Sequence, residues 1–133
     1  RIISKSKFQM PNQIQNPNDK KYDLAERTAL FGEMVIIFSG QLQINIISKP
    51  LINQLIRSST SIGANYMEAD GAESKKDFVH KMGICKKESK ETMHWLRMLA
   101  KVSPINSSDC RKLWKEAHEL TLIFSSIIRL TNA

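Results

Sequence analysis

The chain has 133 residues, of which 41% are hydrophobic, and a formal net charge of +7 at pH 7. This length suits one domain that buries a core without help from metal ions or disulfides. The two cysteines, Cys85 and Cys110, have neither a metal-ligand spacing nor a disulfide framework, which predicts reduced thiols. No apolar run approaches the roughly 18 residues of a membrane span. We therefore expect a soluble, cytoplasmic protein that does not contact a membrane, and the composition excludes a disulfide-stapled secreted domain.

The first 22 residues form a basic lead that we expect to be disordered. Five cations and one acid place +4 of the net charge here, so residues 23–133 carry only +3. Bulk basicity is thus a weak indication of nucleic-acid binding. Residues 1–9 precede the first methionine, Met10. We interpret them as a tag remnant or upstream read-through and leave them out of the fold prediction.

Two helices are predicted next. Apolar or small residues recur in alternating steps of four and three from Leu24 to Leu42, which predicts a helix over about 23–46. The same spacing predicts a second helix over about 50–70, with a very tight connection between the two. Pro50 suits its first turn, and Gly71 suits a C-terminal cap.

The third and fourth helices are predicted over about 75–102 and 108–131. The stretch "SKKD", which begins at Ser74, resembles a capping box, and Pro104 ends the apolar pattern. Nothing resembles a pair of strands with hairpin chemistry. Four helices with short connections predict an all-α fold, an antiparallel up-and-down four-helix bundle.

The stretch "RSSTSIGANYMEADG", residues 57–71, is rich in small polar residues that propagate a helix poorly. We favour close packing, in which a neighbouring helix backbone approaches and hydroxyl groups bond back to their own helix. The large Met93, Trp95 and Met98 on the third helix would then fill the volume that this stretch omits. The alternative is a polar pocket in which Asn65 and Glu68 bind a ligand.

Residues 54–99 contain a characteristic set of residues, which comprises Gln54-Leu55, Arg57-Ser58, Ser61-Ile62, Asn65, Glu68, Asp77-Phe78, Glu88, Glu91 and Trp95-Leu96. With this set the stretch closely resembles the signature of the bacterial four-helix-bundle proteins known as ribosomal-RNA intervening-sequence proteins. Tyr66-Met67 and Ala69-Asp70 depart modestly from the family pattern.

The resemblance implies an up-and-down bundle that assembles into a ring, typically a homopentamer. Some members are encoded inside insertions of large-subunit ribosomal RNA genes. A related bundle is the accessory protein of diversity-generating retroelements, which contacts a reverse transcriptase and nucleic acid. Most members have no established activity, so the resemblance specifies fold more than function.

Catalytic chemistry is not predicted. The three histidines lack metal-binding spacings, and no glycine loop for phosphate is present. Glu68, Glu88 and Glu91 form the one plausible carboxylate cluster, for which salt bridging is the expected role. We therefore expect no enzyme activity, no metal and no cofactor. The residues expected to form a structural polar cluster that links the second and third helices are Arg57, Ser61, Asn65, Glu68, Glu88, Glu91 and Trp95.

The third helix separates its charges into two stripes. At 100° per residue its basic residues other than Lys81 fall within about 120°, and the acids Glu73, Asp77, Glu88 and Glu91 lie on the other side of the helix. Three residues of the fourth helix, Arg111, Lys112 and Lys115, would extend the basic side. The candidate phosphate contacts, which we name the basic stripe, are Lys75, Lys76, Lys86, Lys87, Lys90, Arg97 and Lys101.

Three interpretations of these stripes remain open. The basic stripe could be a track for the phosphates of RNA or DNA. It could instead meet the acidic stripe of a neighbouring protomer and set the register of a ring. It could also be an ordinary solvated face.

We favour a nucleic-acid-associated, ring-forming bundle, with a protein–protein scaffold as the competing class. Only Trp95 and Trp114 are placed to stack on a base, and Ile36, Ile37 or Ile128 would form subunit contacts.

Overall fold

The computed structural model describes residues 23–133, which form four α-helices and one turn of 3₁₀ helix. The predicted all-α, up-and-down four-helix bundle is confirmed, and the described residues contain no strand. The expected disordered lead, residues 1–22, lies outside the described part. The helices are α1 (Leu24–Gly40), α2 (Ser48–Asp70), α3 (Lys75–Val102) and α4 (Ser107–Asn132), with the 3₁₀ turn at Pro104–Asn106 between α3 and α4.

Short polar residues determine where the helices begin. The Asp23 carboxylate accepts a hydrogen bond of 3.0 Å from the backbone N–H of Glu26 at the start of α1. The Ser74 hydroxyl accepts one of 3.0 Å from the N–H of Asp77, so the predicted cap of α3 is present. At the far end of α2, the N–H of Gly71 donates to the Met67 carbonyl, and its φ of −96° shows that no left-handed turn is needed there.

The first helix ends at Gly40, six residues before the predicted end, and a loop over residues 41–47 replaces the predicted tight connection. Asn45 provides the physical reason. Its side-chain oxygen accepts from the N–H groups of Ile47 and Ser48, both at 2.9 Å, while the Ser48 hydroxyl accepts from the Asn45 N–H at 3.0 Å. This reciprocal capping starts α2 two residues earlier than predicted and requires a non-helical chain before it.

The core follows the apolar spacing. Every residue of the four-and-three spacing that runs from Leu24 in α1 to Leu42 in the following loop is buried. The helix α3 packs along both α2 and α4, and α1 packs mainly against α2. Phe31 and Phe124 are fully buried, as is Leu96 near the middle of the bundle. The helix α3 therefore has more extensive contacts with its neighbours than any other helix of the bundle.

The small-residue stretch of α2 packs against both of its neighbours, α1 and α3. On the α3 side, the buried hydroxyl groups of Ser58 and Thr92 are hydrogen-bonded at 2.8 Å. A Cβ atom on Gly63 would lie 3.4 Å from the backbone of Thr28, and one on Gly32 would lie 3.6 Å from the Cα of Thr60. The hydroxyl groups bond to their own helix as expected: that of Thr60 donates to the Ile56 carbonyl at 2.7 Å. Close packing is therefore what the stretch provides, and the close approach of α1 at Gly63 adds to the predicted contact with α3. Met93, which the prediction placed against this stretch, contacts Thr121 of α4.

An ion pair that sequence inspection did not find joins α1 to α4. The guanidinium of Arg27 makes two hydrogen bonds to the carboxylate of Glu116, at 2.7 and 2.8 Å, and contacts Glu119 at 3.2 Å. The side chains of Arg27 and Glu116 are 3% and 0% exposed. The two charges close the bundle on the side where α1 and α4 share little other contact.

Candidate nucleic-acid interface

The seven cations of the basic stripe run along the length of α3. Six of them are exposed, and Lys86 is half-buried. In the part of the chain that the structure describes, none has a carboxylate within ion-pair distance. Their ammonium and guanidinium groups are therefore available to an external anion.

Two acids of α3, unlike the cations of the basic stripe, have partners within the described part of the chain. Arg57 of α2 lies between Glu88 and Glu91: its guanidinium is 3.2 Å from the Glu88 carboxylate and also bonds to that of Glu91. The indole N–H of Trp95 donates to the Glu91 carboxylate at 2.9 Å. Two of the four acids of the acidic stripe are thus engaged within their own chain, and Glu88 is buried.

The other members of the expected polar cluster do not hydrogen-bond to Arg57, Glu88 or Glu91 through their side chains, except for the bond of Ser61 to the Arg57 backbone. The Ser61 hydroxyl donates to the Arg57 carbonyl, and the Asn65 amide donates to the Ser61 carbonyl, so both bond to the backbone of α2. Glu68 accepts a hydrogen bond of 2.7 Å from Lys81, and this bond and the negative charge of Glu68 raise the pKa of Lys81. The structure therefore joins Arg57 with Glu88, Glu91 and Trp95 but assigns Glu68 to a separate pair across α2 and α3.

A groove of about 500 Å³ lies between α3 and α4, where the basic stripe ends. Its lining includes the apolar Leu96, Ala100 and Cys110 and the indole of Trp114. Three cations also line it: Arg97 from the stripe and Arg111 and Lys115 from α4, which makes these two residues of α4 spatially continuous with the stripe. Sequence inspection identified the cations and Trp114 but not the groove, because the pairing of α3 with α4 was needed to bring them together.

The groove is lined in part by the thiol of Cys110, which is unreactive near neutral pH. Cys110 is buried, and the loss of hydration together with the nearby negative charge of Asp109 raises its pKa to about 12. Desolvation likewise raises the pKa of Cys85 to about 12. Neither thiol has a thiolate population near neutral pH, so neither is a nucleophile there.

Exposed apolar residues occur on α1 and at the connections. Ile36 and Ile37 are 51% and 55% exposed, whereas Ile128, the third residue expected to be exposed, is half-buried against the core. The α1–α2 and α3–α4 connections lie at the same end of an up-and-down bundle, and both expose isoleucines, among them Ile46 and Ile105. This end and the adjacent part of α1 thus offer apolar surface beyond what the isolated bundle needs.

Neither metal chemistry nor a membrane span has a structural basis in the described residues. No group of three or more His, Cys, Asp or Glu side chains within residues 23–133 is arranged to hold a metal ion. In the same range, no helix combines the length and apolarity needed to cross a bilayer.

A family model described as the 23S rRNA-intervening sequence protein matches residues 20–126, from before α1 to within the last two turns of α4. The chain belongs to this family. The resemblance found in residues 54–99 is thereby confirmed, and the similarity extends over most of the chain.

A solved structure supports the same assignment. It is a protein of unknown function from the S23 ribosomal protein family of Bacteroides thetaiotaomicron, with 27% sequence identity and a TM-score of 0.70. The similarity covers 83% of this chain and 98% of that one, so the two bundles correspond along their length. No curated protein matches the chain.

Proposed function

We propose that this intervening-sequence protein is a non-enzymatic cytoplasmic module that binds the phosphate backbone of RNA or DNA through the basic stripe on α3. One observation carries the proposal: seven cations share one face of a helix without carboxylate partners among the described residues. Cations in this arrangement neutralise phosphates and release counterions from a nucleic acid. No feature of the stripe reads bases, so the proposed binding is independent of sequence.

The two other interpretations of the stripes have less support. Setting the register of a ring by charge would draw on the four acids of the acidic stripe, and two of them, Glu88 and Glu91, already bind Arg57 in the same protomer. An ordinary solvated face would show ion pairs between residues three or four positions apart, and the stripe shows none within residues 23–133.

The family description fits a nucleic-acid setting, because it links these proteins to intervening sequences of 23S rRNA. We further propose a homo-oligomer, with a pentamer as the expected size, in which exposed residues such as Ile36 and Ile37 form subunit contacts. A ring would repeat the basic stripe around an axis and strengthen binding to a long strand through multivalency.

The test is a salt series with the full-length chain and a labelled RNA. Lys86→Glu with Lys90→Glu reverses two charges of the stripe, and Lys49→Glu with Arg129→Glu makes the same net change at exposed positions elsewhere. The basic lead is present in both variants, so its contribution to binding is the same. The affinity of the unmodified protein should fall steeply with salt. The slope of log affinity against log salt concentration should become shallower by about one unit or more in the stripe variant only.

Equal loss of affinity in the two variants would mean that net charge, not the stripe, governs binding and would overturn the proposal. Light scattering on the same samples addresses the competing class. If the stripe variant loses its oligomeric state while no RNA binds to the unmodified protein, the stripe is an assembly surface, and the bundle is better described as a protein–protein scaffold.

A further inference from the structure

The groove between α3 and α4 contains apolar and aromatic residues, which the phosphate contacts proposed above do not require. A track for phosphates needs only cations, whereas this groove combines an apolar floor and the indole of Trp114 with three cations. Leu96 and Cys110 at its floor are buried, and Trp114 is half-buried. An occupant that satisfies both parts must be a flat apolar group that is attached to negative charge.

The electrostatics of the lining favour an anion strongly. Arg97, Arg111 and Lys115 contribute three positive charges, and no carboxylate lines the groove. None of these three cations has an acidic partner in the described residues, since the ion pairs there involve Arg27, Arg57 and Lys81. Arg97 belongs both to this groove and to the basic stripe, so a strand that follows the stripe leads to the groove.

The indole of Trp114 has a stacking neighbour. His118, one helical turn further along α4, stacks on Trp114 with ring centroids 5.1 Å apart and planes inclined by 25°. Trp114 lines the groove, whereas His118 does not. A base that enters the groove would meet an indole whose motion the His118 ring already restricts, which reduces the ordering cost of stacking.

We propose that the groove receives one unstacked base of a single-stranded nucleic acid, which stacks on Trp114 while Arg97, Arg111 and Lys115 hold the flanking phosphates. This inference rests on the proposed nucleic-acid function and refines it from backbone binding in general to single strands. Bases in a duplex are stacked and paired and do not enter a groove between two helices without being extruded. A volume of about 500 Å³ leaves room for a base and part of its sugar.

The experiment compares three probes of equal length: decathymidylate, an abasic decamer with the same phosphates, and a ten-base-pair duplex. The full chain contains two tryptophans, so fluorescence is read in the unmodified protein, in Trp114→Leu and in Trp95→Leu as the matched control. Decathymidylate should quench Trp114 emission, and the abasic decamer should not. The Trp114→Leu variant should bind decathymidylate roughly 5- to 100-fold more weakly, with duplex binding unchanged. Trp114→Phe should restore part of the affinity, since it restores an aromatic face.

Unchanged duplex binding also shows that Trp114→Leu remains folded. Two outcomes would overturn the base-insertion proposal while leaving stripe-dependent binding intact. One is equal affinity for decathymidylate and the abasic decamer. The other is quenching in Trp114→Leu, which retains only Trp95, with none in Trp95→Leu. If instead none of the three probes binds at low salt, the proposed function itself fails, and the groove proposal fails with it.

Discussion

Arg27 and Glu116 are residues at which a single change should strongly reduce stability. Both side chains are withdrawn from water and make two hydrogen bonds to each other. Removing one partner leaves a buried charge, so Arg27→Met should lower the free energy of unfolding by about 3–5 kcal/mol. Urea denaturation monitored by circular dichroism measures this loss.

The double variant Arg27→Met with Glu116→Met provides the control. It removes both buried charges and replaces them with apolar side chains, so it should be markedly more stable than the single variant. Losses that simply add would show that the two charges do not depend on each other, contrary to the geometry.

The buried thiols predict a loss of stability at high pH. The pKa of Cys110 is about 12 in the folded protein and near 9 when exposed. Between these values the unfolded chain releases a proton that the folded chain retains, so the free energy of unfolding falls as pH rises above 9, by up to about 1.4 kcal/mol per pH unit for each such thiol. Cys110→Ala should make this slope shallower, and urea titrations at pH 9, 10 and 11 measure it. A slope identical to that of the unmodified protein would contradict the burial of this thiol.

What a sequence reveals at the residue scale depends on separation along the chain. The caps at Asp23 and Ser74 act within three residues and follow local rules. Arg27 and Glu116 are 89 positions apart. Each is adjacent in sequence to a buried residue, Thr28 and Ala117 respectively. No spacing rule connects them, because the pairing of α1 with α4 is a property of the tertiary fold.

At the scale of the helix, two glycines provide a matched test of the close approach between α1 and α2. Gly63 lies against the backbone of Thr28, whereas a Cβ on Gly83 of α3 would meet no atom within 4 Å. Gly63→Leu should therefore force α1 away and lower the free energy of unfolding by about 1–3 kcal/mol. Gly83→Leu should be neutral or stabilising, because leucine is the better helix former. Thermal unfolding of the two variants checks this, and equal effects would contradict the contact.

The helices themselves were largely predictable, and the errors have physical causes. The apolar spacing continues past Gly40 to Leu42, which is buried although it lies in the loop. The spacing therefore placed the end of α1 too late. The end is set instead by the side-chain hydrogen bonds of Asn45 and Ser48, which compete with the helix. The close approach of α1 to the small-residue stretch was not predicted, since small residues indicate a close approach without indicating which helix approaches.

For the whole molecule, the arrangement of charge matters more than its sum. The sequence shows that α3 carries basic and acidic stripes, but only the fold shows that Arg57 from α2 engages Glu88 and Glu91 while the cations of the basic stripe have no carboxylate partner among the described residues. That asymmetry favours the proposed surface for anions over an assembly surface. The groove beside Trp114 likewise arises from two helices together, so its residues were recognisable while their convergence was not.

The last prediction concerns assembly and its effect on binding. Ile36→Lys with Ile37→Lys places two charges on exposed apolar positions of α1, and Gln43→Lys with Asn53→Lys adds the same charge at exposed polar positions. If the apolar surface holds subunits together, only the first variant should fall to the 15.2 kDa of one chain in light scattering. Because multivalency requires several stripes on one strand, that variant should also lose affinity for a long RNA while keeping its affinity for a decamer. An unmodified protein that is itself 15.2 kDa in solution would contradict self-assembly and leave the stripe of a single bundle to bind alone.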